Sequence, residues 1–178
     1  ERLRQRAGRY IFGSGNDTLE GVLGNMLRDH GLTVATAESA TGGFLGHRLT
    51  RVGGASDYFL GGIVAYANAI KQHLLGVSED TLMAHGAVSK PVAKQMAEGA
   101  REALGADIGI STTGIAGPGG GTPEKPVGTV WIGYADGTTT SARRLQFLDD
   151  RQLNKELFST SALEMIRRHV LRREAKEA

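Results

Sequence analysis

The chain of 178 residues predicts a three-layer α/β/α domain, with a mixed, mostly parallel sheet and an antiparallel hairpin at one edge. Three observations point to it. Short apolar, β-branched runs alternate with segments of helical apolar spacing, and strands separated by helices imply parallel crossovers. Asp136-Gly137 sits between two further strand-like runs, Thr129–Ala135 and Thr138–Phe147, and Asp-Gly is a strong hairpin signal. The length suits one domain large enough to bury its own core.

In chain order, residues 1–16 are polar and punctuated by Gly8, Gly13 and Gly15, and read as a linker. Asp17-Thr18 supplies an N-cap for a helix with the stripe Leu19, Val22, Leu23, Met26 and Leu27, ending near Gly31. Leu32–Ala37 reads as a buried strand, and Phe44, Leu45, Leu49 and Val52 as a helix that stops at Gly53-Gly54. Tyr58–Tyr66 is nearly continuously apolar and predicts an interior strand. A helix from Asn68 stops at Gly76, and a short one covers Asp80–His85. Pro91 then opens a longer helix with Val92, Met96, Ala100 and Leu104 on one face. Asp107–Thr112 is a third strand, running into a glycine- and proline-rich loop, Thr113–Gly128. Loops of that length tend to be functional or disordered. Asp149 or Asp150 caps a terminal helix that turns Leu153, Leu157, Phe158, Ala162, Met165, Ile166 and Val170 inward. The domain is expected over residues 17–171, followed by a frayed basic tail at 172–178.

Charge and composition narrow the function. The two ends, 1–16 and 167–178, hold nine of the 21 Lys and Arg and three of the 19 acids, which leaves residues 17–166 with a formal balance of −4. Basicity therefore belongs to the ends, where solvated segments are usual, and with no interleaved Arg/aromatic patch no stable nucleic-acid binding is expected. The absence of cysteine excludes disulfides, thiolate metal sites and a Cys nucleophile. The five histidines show no metal-ligand spacing, so neither a metal nor another cofactor is expected. No apolar run approaches membrane-spanning length and the first residues are not a signal peptide, which predicts a cytoplasmic protein. The chain starts at Glu1 rather than Met, and the expectation is that it continues a longer protein.

The chemistry is best placed at Thr33–Leu45. Ser39 falls at the carboxyl end of a strand, beside a helix that opens at Thr41-Gly42-Gly43. Two glycines allow close approach, and helix-start amides attract an anion or a developing oxyanion. The competing reading is that Ser39 or Thr41 caps the helix. A serine hydroxyl needs a base. Lys71 lies at the start of a helix just past a buried strand, where burial and the helix dipole both lower its pKa; the competing reading is a solvated helix lysine. The 113–128 loop lacks the Gly-Lys-Ser/Thr of a P-loop and the helix of a dinucleotide fingerprint. It reads either as a backbone nest for a phosphate or carboxylate or as a mobile connection. Arg151 reads as a phosphate clamp, or as the structural partner of Asp149 or Asp150. In open α/β sheets ligands bind beyond the carboxyl ends of the strands, and Ser39, the segment after Tyr66 and the loop after Thr112 all fall there.

These residues also form a pattern. Ala37-Glu38-Ser39-Ala40-Thr41-Gly42-Gly43, Gly54-Ala55-Ser56, Tyr66-Ala67-Asn68-Ala69-Ile70-Lys71, Gly86-Ala87-Val88-Ser89, Thr113-Gly114-Ile115-Ala116-Gly117-Pro118 and Lys125-Pro126-Val127-Gly128-Thr129 closely resemble the CinA C-terminal family. That family includes PncC-type nicotinamide mononucleotide amidohydrolases and the C-terminal domain of competence/damage-inducible CinA proteins. The resemblance covers about residues 17–170, and Arg9-Tyr-Ile-Phe-Gly13 resembles the linker of the two-domain members, which implies an additional N-terminal domain. Two positions depart from the family pattern: Ala40, where Cys is usual, and Asp149, where Gly commonly precedes Asp-Arg.

The resemblance implies hydrolysis of the carboxamide of nicotinamide mononucleotide to nicotinate mononucleotide and ammonia, a step of pyridine nucleotide salvage. Ser39 matches the nucleophile and Lys71 the general base, with Tyr66 beside them. Substrate contacts are expected from Thr41, Gly42, Gly43, Ser56, Asn68, Thr113, Gly114, Gly117 and Arg151. The expected partners are the nucleotide substrate and a second copy in a homodimer, with no membrane. The alternative is a non-catalytic nucleotide-binding module of a two-domain protein.

Overall fold

The structure, a computed structural model, describes residues 10–177. Residues 1–9 of the expected linker, and Ala178, lie outside them. The order is α1 (Leu19–Asp29), β1 (Val34–Glu38), α2 (Phe44–Thr50), a 3-10 turn (Ala55–Asp57), β2 (Phe59–Val64), α3 (Asn68–Leu75), α4 (Glu79–His85), α5 (Lys90–Leu104), β3 (Ile108–Gly114), β4 (Thr129–Ala135), β5 (Thr140–Gln146) and α6 (Arg151–Glu177). The five strands form one sheet in the order β2-β1-β3-β4-β5. β1 runs parallel to both β2 and β3, while β3–β4 and β4–β5 are antiparallel. The sheet is therefore mixed, with the hairpin at one edge as expected.

Alternation along the strands builds two cores. Val34, Ile108, Ile110, Val130, Ile132 and Tyr134 face α1, α2 and α6, meeting Leu23, Leu27, Leu45, Leu49, Phe158 and Ile166. Ala35 and Ala37 face the other way, against Leu75 of α3 and Val92, Met96 and Ala100 of α5. Thr18 caps α1 as the sequence suggests, its hydroxyl accepting from the Gly21 amide. At α6 it is Asp150 that caps, accepting from the Leu153 amide at 2.9 Å.

One expectation is corrected. Tyr58–Tyr66 was expected to give an interior strand, but β2 pairs only with β1 and forms the edge, its residues alternately half-buried and exposed. An apolar run reports burial potential, whereas strand order is decided by tertiary packing. The stretch from residue 172, expected as a basic tail, is described to Glu177 as the last part of α6. Arg173 pairs with Asp136 at 3.0 Å and Glu174 with His30 at 2.7 Å, and these contacts hold the helix end against the hairpin and α1.

α5 lies unusually close to the sheet. Ser111 of β3 donates to the Ala93 carbonyl at 2.6 Å. Gly133, paired opposite Ser111 on β4, sits beneath the same carbonyl, and Gly109 sits one helical turn along beneath the Ala97 carbonyl. A Cβ at either glycine would overlap a helix oxygen. Gly133→Ala is accordingly expected to destabilise the protein by about 1–3 kcal/mol through overpacking. Gly53→Ala, whose Cβ meets nothing within 4 Å, should stay within about 0.5 kcal/mol of wild type. Urea unfolding midpoints of the two variants check the contrast.

Candidate active site

Glu38, the last residue of β1, organises the turn that follows. Its carboxylate is 2% exposed. Oε2 accepts from the Thr41 hydroxyl at 2.6 Å, the Gly43 amide at 2.9 Å and the Leu45 amide at 3.0 Å, and Oε1 accepts from the Gly46 amide at 2.8 Å. A carboxylate thus satisfies the free amides at the start of α2 and faces the positive end of the helix dipole. The Thr41 hydroxyl also bonds the Thr112 hydroxyl at 2.7 Å, tying the turn to β3. Between these anchors the Ser39 amide donates to the Thr112 carbonyl at 2.9 Å, and the Ser39 carbonyl accepts from the Gly42 amide at 3.2 Å.

Ser39 opens onto a cavity of about 280 Å³ at the carboxyl ends of β1 and β3. Lys71, Tyr66, Asn68, Thr113, Gly114, Gly117 and Arg151 share its lining. Lys71 is 1% exposed. Its Nζ donates to the carbonyls of Ala65 at 2.8 Å and Tyr66 at 3.2 Å, and no carboxylate pairs with it among the described residues. Burial lowers its pKa, because the ammonium loses water and gains only neutral dipoles. As a neutral amine it spends both N–H bonds on those carbonyls and keeps a lone pair to accept a proton.

The far wall is the loop after β3, which is held in place. The Ile115 amide donates to the Thr129 carbonyl at 2.8 Å, and the Gly128 amide donates to the Ile115 carbonyl at 2.8 Å, closing the loop at its base. α6 grips the middle: Arg151 Nη1 donates to the Gly117 carbonyl at 2.7 Å, and Asn154 Nδ2 donates to the Ala116 carbonyl at 2.9 Å. Arg151 Nη2 also donates to the Tyr66 hydroxyl at 3.2 Å, and no carboxylate pairs with this guanidinium among the described residues. The Thr113 hydroxyl donates to the Ala87 carbonyl at 2.7 Å, drawing the 86–89 segment in as a third wall. In the loop the amides of Ala116, Gly117, Gly119 and Gly120 have no internal acceptor among the described residues, and neither has that of Ala40 beside Ser39.

Four expected contacts fall elsewhere. Thr41 is fully buried, and neither it nor Gly42 and Gly43 line the cavity, because Glu38 already occupies the helix start that was to receive the ligand. Ser56 lies exposed in the 3-10 turn before β2, whereas the cavity sits beyond the other end of that parallel strand. Sequence reasoning missed Glu38 and Asn154 as supports, and Ala87 and Val88 as lining, although the Gly86-Ala87-Val88-Ser89 motif marked the last two. A larger hollow of about 480 Å³ lies between β5 and α6, lined by Arg143, Arg168 and His169 among others. It brings none of the expected site residues together.

Comparison with known proteins gives one answer. The CinA C-terminal domain profile matches residues 16–170. A CinA-like protein of Salinibacter ruber is 63% identical over 166 residues, 93% of this chain and 40% of that protein. A putative competence-damage inducible protein of Moorella thermoacetica is 51% identical over 164 residues, again 40% of its length. The chain thus spans about two fifths of the curated relatives it matches. Among solved structures, the competence/damage inducible protein CihA of Agrobacterium tumefaciens superposes with a TM-score of 0.79 at 36% identity, covering 86% of this chain and 97% of that one. A CinA superfamily protein of Klebsiella pneumoniae gives 0.83 at 29% identity, covering 86% and 96%.

The Glu38 arrangement generates a test. Glu38→Gln preserves shape but puts an NH₂ group where an oxygen now accepts, leaving at least one buried donor unsatisfied. A loss of about 1–3 kcal/mol is expected, measured by chemical denaturation.

Proposed function

This chain belongs to the CinA C-terminal domain family, and on that premise we propose that it hydrolyses the carboxamide of nicotinamide mononucleotide to nicotinate mononucleotide and ammonia. The observation that carries the reading is one cavity shared by Ser39 and a buried lysine with no carboxylate partner among the described residues. Neutral Lys71 takes the proton from Ser39 Oγ as the oxygen attacks the carboxamide carbon. The oxyanion of the tetrahedral intermediate is held by backbone amides of the 115–120 loop and of Ala40, not by the start of α2, which Glu38 occupies. The Lys71 ammonium returns its proton to the departing nitrogen and ammonia leaves. Water, deprotonated by the same amine, then attacks the acyl carbon, and the Lys71 ammonium returns that proton to Ser39 Oγ as the ester bond breaks and nicotinate mononucleotide leaves. The loop amides and Arg151 suit the phosphate of a mononucleotide. The basic C-terminal residues give little support to nucleic-acid binding, since Arg167 and Arg168 pair with Glu164 and Arg173 with Asp136. No helix among the described residues is long and apolar enough to cross a membrane.

Ser39→Ala and Lys71→Met are each expected to lower ammonia release on the order of 10⁴-fold or more while circular dichroism stays native. Undiminished turnover by Ser39→Ala overturns the mechanism. Because burial lowers the Lys71 pKa and the neutral amine is the base, kcat/KM should rise with pH through a midpoint below that of a solvated lysine. Calorimetric binding of the nucleotide with no ammonia released would move the assignment to a nucleotide-binding module of a longer protein.

A further inference from the structure

β5 stands beside a gap. Its register pairs Ser141 with Tyr134, Arg143 with Ile132 and Leu145 with Val130, so these three side chains share the face of the sheet that turns toward α6. α6, however, packs on β3 and β4 and hardly meets β5. The uncovered width is the hollow of about 480 Å³, within the ~300–1,000 Å³ of small-molecule sites. Its other wall is one stripe of α6, Ser161, Glu164, Met165, Arg168, His169 and Arg172, at the spacing that sets side chains on a single helix face. Phe147 meets Phe158 at one end and Asp136 meets Arg173 at the other, so strand and helix run in opposite directions and the hollow is graded along them. Leu145, Phe147 and Met165 make an apolar end; Arg143, Arg168 and Arg172, with the hydroxyls of Thr139 and Ser141, make a basic one.

The basic end is not neutralised. Glu164 is the single carboxylate in the lining, and Arg167 and Arg168 both hold it at 2.7 Å. Arg168 also lies over the Tyr10 ring, 5.2 Å from its centroid. Arg143 and Arg172 make no hydrogen bond or ion pair with a described residue, and Ser141 Oγ is buried without a hydrogen-bond partner among them.

We propose that this hollow binds a small phosphate monoester with a flat apolar body, the phosphate received by Arg143 and Arg172 and the body laid on Leu145, Phe147 and Met165. The planar fork of a guanidinium matches phosphate oxygens, and two of them answer the charge of a dianion. The Ser141 hydroxyl supplies the donor that a buried polar group needs to place. At the other end the apolar side chains take the body out of water. A nucleic-acid strand would use the arginines and leave that apolar end idle. The site is separate from the Ser39 cavity: from Arg151 to Ser161 along α6 is about 15 Å at 1.5 Å per residue. It does not rest on the proposed chemistry.

Calorimetric titration of the whole chain with 1-naphthyl phosphate, a phosphate monoester on a flat apolar ring, tests this. Saturable binding is expected with a dissociation constant on the order of 0.1 mM. Inorganic phosphate and 1-naphthol each offer only part of the ligand and should bind about tenfold more weakly or worse. Arg143→Glu and Arg172→Glu should each weaken 1-naphthyl phosphate by about tenfold or more, whereas Arg151→Ala, in the Ser39 cavity, should leave it unchanged. Arginine modification by phenylglyoxal gives a reading on the unaltered chain. The ligand should protect Arg143 and Arg172 but not Arg144, which lies on the other face of β5 and donates to the Glu124 carbonyl at 2.7 Å. Absence of saturable binding, equal binding of inorganic phosphate or 1-naphthol, or unchanged binding in both glutamate substitutions overturns the proposal. So does loss of binding in folded Arg151→Ala, or protection of Arg144 instead of Arg143 and Arg172.

Discussion

A buried carboxylate without an ion-pair partner among the described residues is among the more expensive groups to place inside a protein. Glu38 is one, and the geometry around it shows how the expense is offset: four donors converge on two oxygens at 2.6–3.0 Å, three of them amides from the first turn of a helix. Charge-assisted bonds of this kind are about twice as strong as neutral ones. The rest of the site follows from them. They fix where α2 begins, and so the turn that turns Ser39 toward the cavity. Through Thr41 and Thr112 they fix that turn against β3, from which the far wall springs. They also consume the helix start, which leaves the loop amides, the Ala40 amide and Arg151 as the donors lining the cavity.

The lysine is handled in the opposite way. Glu38 is buried with its full complement of hydrogen-bond donors, whereas Lys71 is buried with carbonyls alone. Carbonyl dipoles do not replace the water lost by an ammonium, and the proton affinity of the amine falls. Two buried ionisable groups beyond the carboxyl ends of neighbouring parallel strands thus meet opposite surroundings: Glu38 receives four hydrogen-bond donors, whereas Lys71 meets carbonyls alone and its pKa is lowered by burial.

Much of this was legible in the sequence, and the remainder has physical reasons for having been hidden. Ser39, Lys71 and the Asp136-Gly137 hairpin are announced by local chemistry: a strand that ends in a turn, a helix that starts after one, a dipeptide suited to a tight reversal. Those signals need only a few residues. The error over Thr41, Gly42 and Gly43 arose because a helix start looks vacant until every donor is traced to its acceptor, and the acceptor was the residue one position before Ser39. Ser56 was misplaced because its motif gives no indication of which end of a parallel strand it occupies. Asn154 reads as an ordinary polar residue in a first helical turn; only the folded chain shows its amide between the carbonyls of Ala116 and Leu148. Strand order was the least legible, since it depends on how several elements divide two faces among them.

α6 is a single 27-residue helix, about 40 Å long at 1.5 Å per residue. Its first turn holds the cavity loop through Arg151 and Asn154, and near its far end Arg173 and Glu174 hold the hairpin and α1. An unbroken rod of this kind has no joint at which one end can move alone. The wall of the cavity is therefore coupled to the opposite end of the domain as part of one body, and a force applied where α1 meets the helix would reach the loop as a tilt of the whole rod.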